Sequence, residues 1–177
     1  AMFLKMAGLI SYSAPMCRSD FGGIPISDFT MDNFFRAVEQ SDKIEIKSEK
    51  PYKAGVAKGI MFGGNLASIV SLCGIDFLPD DDFIFFAEDL NEPVYKIDKM
   101  FTQLLNLSKF RHNVKGIILG DFLDSGYPEQ LDELFFEISE SLGIPVLGGF
   151  KITHAKEKIT VPYGADAEII NDKLVIN

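Results

Sequence analysis

Short apolar runs alternate with segments of helical periodicity through most of the chain. Three runs are too short for helices and are continuous enough for strands buried on both faces; they cover residues 83–87, 116–120 and 145–147, and a further short apolar run covers residues 60–62. Between them, apolar residues recur at helical spacing after Pro93 and after Pro128, and Gly143 ends the second of these predicted helices. Strands that alternate with helices predict an α/β fold with a layered, mixed sheet.

The two ends of the chain have different character. Residues 2–7 look helical, but no capping residue precedes them, so the chain is expected to begin inside an element. The end of the chain has strand character, with a possible hairpin turn at Asn171 and Asp172; the predicted strands cover residues 158–161, 167–170 and 174–176.

Thr30 is predicted to cap a helix that turns Phe34, Phe35 and Val38 toward a core. The charge density then rises and bulky apolar residues become scarce, as expected where few contacts cross between domains. We therefore divide the chain into three predicted parts. They are a remnant of one domain (residues 1–42), a linker (residues 43–53) and an α/β domain (residues 54–177).

The composition of the chain argues against several classes of function. The 177 residues include 17 Lys and Arg against 26 Asp and Glu, a net charge of −9, which argues against a nucleic-acid partner. No apolar run is long enough to span a membrane, and residues 1–10 do not resemble a signal peptide, so a cytoplasmic protein is expected. Cys17 and Cys73 have no CxxC partner, which predicts neither a disulfide framework nor a metal site. No cofactor is predicted.

Three polar residues follow buried strands at or near their carboxyl ends: Glu88, Asp121 and His154. Ligands of open α/β sheets usually bind at that edge. A carboxylate that orients an imidazole is a common way to activate a hydroxyl nucleophile, so Glu88 and His154 are a candidate pair. On spacing alone the alternatives stay open: Glu88 could cap the next helix or meet a lysine, and His154 could be an exposed loop residue.

A second candidate site is the turn Gly63-Gly64-Asn65 before a predicted helix. Free N–H groups at a helix start favour an anion such as a peptide carboxylate, whereas the simpler interpretation is a tight turn with Asn65 as the cap. No convincing nucleophile is found, because Ser13 and Ser19 lie in a loop without the sharp strand-to-helix turn that exposes a catalytic serine.

Several motifs together resemble the serine-type LD-carboxypeptidases, which include muramoyl-tetrapeptide carboxypeptidases and microcin C immunity peptidases. They occur in the family's order along nearly the whole chain: Ser13-Ala14-Pro15-Met16, residues 59–66 (GIMFGGNL), residues 84–89 (IFFAED), residues 92–98 (EPVYKID), residues 116–120 (GIILG), residues 144–146 (IPV), His154 and residues 161–165 (VPYGA).

The resemblance implies a two-domain serine hydrolase with a Ser-Glu-His triad. By motif, the glutamate is Glu88 and the histidine is His154. The family serine sits at the head of a helix whose tail resembles residues 2–7, so it is expected upstream of Ala1. The chain is then a C-terminal portion that is inactive by itself, and the resemblance also implies homodimers.

The implied substrate is a murein tetrapeptide, cut at the amide between an L-centre and a terminal D-amino acid during peptidoglycan recycling. An amidase similar to the microcin C immunity peptidases is the alternative within the enzyme class. A third possibility is a non-catalytic relic that keeps the fold as a binding or dimerisation module. The upstream coding sequence would discriminate these readings, because a Gly-x-Ser-Asp turn there supports an enzyme.

Overall fold

The structure, a computed structural model, describes residues 8–22, 25–39 and 43–177. Ten strands are assigned: β1 (Ser11–Ser13), β2 (Ile44–Lys47), β3 (Lys50–Lys53), β4 (Gly55–Asn65), β5 (Phe83–Leu90), β6 (Val114–Leu123), β7 (Val146–Gly148), β8 (Val161–Tyr163), β9 (Asp166–Asn171) and β10 (Lys173–Ile176). The α-helices are α1 (Asp28–Glu39), α2 (Leu66–Val70), α3 (Val94–Leu105), α4 (Ser108–Asn113) and α5 (Pro128–Leu142), and a π-helical turn covers Cys17–Phe21.

Eight of the strands form one mixed sheet in the order β2-β10-β9-β4-β5-β6-β7-β3. The four central strands, β4 to β7, are parallel, and antiparallel strands flank them on both sides. A separate two-stranded sheet pairs β1 with β8. The predicted α/β fold with a layered mixed sheet is confirmed.

The core forms where the sequence is most continuously apolar. In β5 every residue from Phe83 to Asp89 is buried, as expected for a central parallel strand covered on both faces. The ring of Phe85 packs against the rings of Phe62, Phe101 and Phe110, which joins the sheet to α3 and α4. The core therefore has an aromatic centre around Phe85 in the first half of β5.

Two helix ends follow the predicted signals. The Asn65 side chain accepts a hydrogen bond from Ser68 N at the start of α2, and Gly143 adopts the left-handed conformation (φ +68°) that ends α5. Residues 2–7 lie outside the described residues. None of the helices in the described part of the chain combines the length and the apolar character needed to cross a membrane.

The predicted role of Thr30 is wrong. Helix α1 begins at Asp28, and it is Ser27 whose side chain accepts a hydrogen bond from Thr30 N, so Ser27 occupies the capping position. The predicted inward direction of Phe35 and Val38 is also wrong. Phe35 is 46% exposed and Val38 is 36% exposed, because the buried stripe of this helix runs through Thr30 and Ala37 instead.

The segment predicted as a linker, residues 43–53, contributes β2 and β3 to opposite edges of the large sheet. The alternation of Ile44, Glu45, Ile46 and Lys47 is a strand pattern that the high charge of this segment obscured. At the other end of the chain, the strand predicted for residues 158–161 begins only at Val161. The predicted hairpin turn at Asn171 is confirmed by its positive φ of +58° between β9 and β10.

Candidate active site

A β-bulge at the end of β6 shapes the surroundings of Glu88. Ala87 pairs with Leu119 and Asp89 with Phe122, so β6 carries one residue more than β5 across this interval. Glu88 therefore lies opposite Gly120 and Asp121. Bulges of this kind re-aim side chains and are common beside active sites.

His154 lies on a segment that we call the histidine loop (residues 149–160). The extra residue of β6 also holds this loop. Asp121 N–H donates to Ile152 O over 2.9 Å, two residues before His154. A Cβ atom at Gly120 would lie 2.2 Å from Ile152 O and 3.1 Å from Glu88 Cβ. Only glycine at this position lets the loop pass so close to Glu88.

The structure brings the two predicted catalytic residues together. His154 Nδ1 lies 2.8 Å from Glu88 Oε2, although 66 positions separate the residues in sequence. The Glu88 side chain is 9% exposed and that of His154 is 47% exposed. Burial raises the pKa of the Glu88 carboxyl and the adjacent Asp89 raises it further, while the contact with His154 lowers it.

This geometry fixes the imidazole for proton transfer. An ionised Glu88 carboxylate only accepts hydrogen bonds, so in that state His154 Nδ1–H is the donor of this hydrogen bond. The opposite nitrogen, Nε2, is then left with a free lone pair on a half-exposed ring. A buried carboxylate behind an accessible imidazole is the arrangement that orients a general base and stabilises its protonated form.

A cavity of about 140 Å³ adjoins the pair. Ten residues line it: Ser13, Ala14, Met16, Asp20, Glu88, Ile152, Thr153, His154, Lys158 and Ile159. Ligand pockets usually measure ~300–1,000 Å³, so this cavity is small for a complete ligand site. A larger cavity of about 390 Å³ lies between α1 and β2 and shares none of these lining residues.

The prediction of a tight turn at Gly63-Gly64-Asn65 is wrong: these residues are the last three of β4, and they lie next to Glu88, since Asn65 pairs with Glu88 in the β4–β5 register. Two N–H groups at the start of α2 are already used within the protein. Ala67 N donates to Asp89 Oδ2 and Ser68 N donates to Asn65 Oδ1. These two groups are therefore not free to bind an anion.

Sequence reasoning missed Asp89 and Lys158. Asp89 is buried, and its carboxylate also accepts a hydrogen bond from Asn65 Nδ2. This contact fixes the end of β4 beside Glu88. Lys158 forms an ion pair with Asp20 at the cavity, and both side chains are only about 10% exposed. The position of Asp89 directly after Glu88 was a usable signal, whereas no local pattern connects Asp20 with Lys158. Asp121 contributes its backbone N–H, as described above.

This chain is similar in sequence and in fold to known proteins. The sequence profile of the LD-carboxypeptidase C-terminal domain matches residues 58–169. A probable murein peptide carboxypeptidase of Bacillus subtilis (strain 168) is 31% identical over 169 residues, which cover 90% of this chain and 53% of that protein. The microcin C7 self-immunity protein MccF of Escherichia coli is 25% identical over 196 residues, which cover 92% of this chain and 57% of that protein.

A similar solved structure is that of the muramoyltetrapeptide carboxypeptidase from Oxalobacter formigenes. It superposes with a TM-score of 0.85 at 27% sequence identity, covering 99% of this chain and 64% of that chain. The chain thus spans about half the length of the curated relatives it matches.

Proposed function

Because this chain belongs to the LD-carboxypeptidase family, we propose that it is the part of a serine carboxypeptidase that carries the general base and its orienting carboxylate. His154 is the base and Glu88 the carboxylate. The nucleophilic serine and the oxyanion donors come from a segment upstream of Ala1. The observation that carries this proposal is the 2.8 Å contact between His154 Nδ1 and Glu88 Oε2 at the wall of a cavity.

In the proposed reaction, the serine hydroxyl attacks the amide carbonyl carbon while His154 Nε2 takes up the hydroxyl proton. The same nitrogen then donates that proton to the departing amine, which leaves as the free D-amino acid. Water next attacks the acyl-enzyme ester, again with His154 as the base. Glu88 keeps the imidazole in the required tautomer and stabilises its positive charge throughout.

We propose a murein tetrapeptide as the substrate and the cytoplasm as the place of action, in keeping with the probable murein peptide carboxypeptidase that this chain resembles. The Gly63-Gly64-Asn65 segment at the end of β4 is a proposed substrate contact. It lies beside Glu88, and nothing stands within 4 Å of the place that a Gly64 Cβ would occupy. That open space leaves the Gly64 backbone accessible to a peptide.

The test requires the longer protein that contains this chain together with its upstream segment. Release of D-alanine from a murein tetrapeptide is measured by mass spectrometry. We expect activity from the longer protein, none from the 177-residue chain, and a loss of about 10⁴- to 10⁶-fold in kcat for His154→Ala or Glu88→Ala in the longer protein.

Ser13→Ala is the matched control, because Ser13 is the serine that lines the same cavity. The upstream-nucleophile proposal expects this variant to keep activity within a few-fold of the unchanged longer protein. Release of D-alanine by the 177-residue chain, or its loss on Ser13→Ala, would contradict an upstream nucleophile. Full activity of the longer His154→Ala protein would contradict the role of His154.

A second substrate class is favoured by the similarity to MccF, which covers 92% of this chain. MccF has been solved with glutamyl sulfamoyl guanosine. The same enzyme preparation is therefore offered an aminoacyl sulfamoyl nucleoside in parallel. Faster turnover of that compound than of the tetrapeptide would assign the microcin-type activity, and turnover of neither would indicate a binding module.

A further inference from the structure

The hydroxyl of Thr30 contacts the histidine loop across a long sequence separation. Thr30 Oγ1 donates to Lys156 O over 2.9 Å and accepts from Lys158 N over 3.0 Å. The residue is 2% exposed. A threonine hydroxyl has one proton to donate, so the donor is fully used, and both backbone partners come from the same loop.

These contacts complete a pair of anchors on either side of His154. On the sheet side, Ile152 O accepts from Asp121 N, two residues before His154. On the helix side, Lys156 and Lys158 are held by Thr30, two and four residues after it. The chain between the anchors is short, so the direction of the imidazole depends on both of them.

A neighbouring ion pair supports the helix-side anchor. Lys158 Nζ lies 2.9 Å from Asp20 Oδ1, and Asp20 Oδ2 accepts from Met16 N over 2.7 Å. The loop is therefore connected both to α1 and to the π-helical turn. Each of these contacts comes from residues before the segment that matches the LD-carboxypeptidase C-terminal domain, residues 58–169.

We propose that Thr30 is a positioning residue, whose hydroxyl holds the histidine loop so that His154 meets Glu88. The inference rests on the proposed function for its catalytic consequence, although the positioning itself does not. Without the hydroxyl, Lys156 O and Lys158 N lose their partner, and the loop gains freedom at the point where the imidazole is aimed. Helix α1 thereby becomes part of the machinery that orients the base.

The first test uses the 177-residue chain and needs no activity. The sequence contains two histidines, His112 and His154, so their ring ¹⁵N and ¹H signals are readily assigned. We expect Thr30→Val to weaken the His154 Nδ1–H signal of the hydrogen bond to Glu88 and to mix the ring tautomers. Thr30→Ser keeps the hydroxyl and should retain the original signals, and His112 should be unchanged in both variants.

If the valine variant does not fold, Thr30→Ala removes the hydroxyl without adding a second methyl group and serves the same measurement. Original His154 signals in a folded variant that lacks the hydroxyl would overturn the proposal. A loss of order that reaches His112 as well would also overturn it, because the effect would then be general.

The second test uses the longer protein with its upstream segment. Misplacing a catalytic group by about 1 Å costs about 100-fold in rate, so Thr30→Val should lower kcat by about 100-fold with KM nearly unchanged. Thr30→Ser should stay within about 3-fold of the unchanged protein, since it keeps the anchor. In a His154→Ala background, Thr30→Val should cause no further loss, because residues that act through one another are not additive.

A full additional loss in that background would contradict positioning through His154. The two tests also separate this inference from the proposed function. Altered His154 signals in a longer protein that hydrolyses no tetrapeptide would refute the function and support the positioning. Activity that requires His154 but is indifferent to Thr30→Val would refute the positioning and support the function.

Discussion

The central strands and the N-terminal segment (residues 8–39) are stabilised by different kinds of contact. Strands β4 to β7 bury most of the apolar side chains they carry, including the fully buried Phe83, Ile84 and Phe85 of β5, although Val56 of β4 is exposed. Between residues 8 and 39 most of the large apolar side chains are exposed to solvent. Seven of the thirteen exposed large hydrophobic side chains of the described residues lie there: Leu9, Ile10, Met16, Ile26, Phe29, Phe35 and Val38.

The described contacts between the N-terminal segment and the histidine loop are largely polar. The contacts that reach the histidine loop are the Thr30 hydroxyl and the Asp20–Lys158 ion pair, together with the Lys151 ammonium over the Phe29 ring. Polar contacts are directional, so they fix geometry at a modest gain in stability, whereas apolar burial stabilises without fixing direction. The difference indicates that the sheet supplies stability and the segment supplies orientation.

The two regions should differ most in the free energy of unfolding that is lost when a phenylalanine is truncated to alanine. Phe85→Ala removes a ring that is packed against three others, so the free energy of unfolding should fall by about 3–5 kcal/mol. Phe35→Ala is the matched control: its ring is 46% exposed, and the expected cost is under about 1 kcal/mol. Urea unfolding followed by circular dichroism measures both, and equal costs would contradict the comparison.

The sheet region was also the more predictable one. Continuous apolar runs identify β5 and β6 because a strand buried on both faces needs no polar alternation. Asn65 and Gly143 mark helix ends through local chemistry, so both ends can be predicted from a few neighbouring residues. The strand ends make Glu88 and His154 a candidate pair, and the family motifs favour that pair over its alternatives, since no periodicity connects residues 66 positions apart.

Long-range polar contacts explain most of what was missed. Thr30 has the local signature of a cap, but its hydroxyl is used by a loop more than a hundred residues away. Lys158 was read as part of a strand, whereas its backbone binds Thr30 and its side chain binds Asp20. The β6 bulge is set by the approach of Ile152, which no sequence window around Gly120 contains.

The next largest effect is expected at the Asp20–Lys158 ion pair. Lys158→Met keeps the aliphatic volume but leaves a nearly buried carboxylate without its cation, which should lower the free energy of unfolding by about 3 kcal/mol at pH 7. Lys173→Met is the matched control, because the Lys173–Glu45 pair is about half exposed; its cost should be under about 1 kcal/mol.

The cost of Lys158→Met should depend on pH. Burial alone would raise the pKa of Asp20, but the hydrogen bonds from Lys158 and Met16 N lower it below its ordinary value of 3.8. The unfolded state then binds more protons than the folded state, so the contribution to stability is complete above about pH 4 and is lost as pH falls through the lowered pKa. Unfolding measured at pH 7 and pH 3 should show the gap between the two proteins narrowing, and a constant gap would contradict this account.

The smallest effect on stability, and the clearest on association, is expected on the exposed face of α1. Phe35 and Val38 lie one helical turn apart and are both substantially exposed, so Phe35→Glu with Val38→Glu should change the free energy of unfolding by less than about 0.5 kcal/mol. Exposed apolar patches commonly mediate association, so the unchanged chain should form dimers or larger species and the double variant should not. Light scattering across a concentration series measures this.

Glu substitution at Tyr95 and Tyr127, exposed aromatics outside the segment, is the control that should leave the mass unchanged. A monomeric unchanged chain at high concentration would mean that the apolar side chains of α1 do not join copies of this chain, and that the polar anchors of Thr30 and Asp20 are the segment's main contribution.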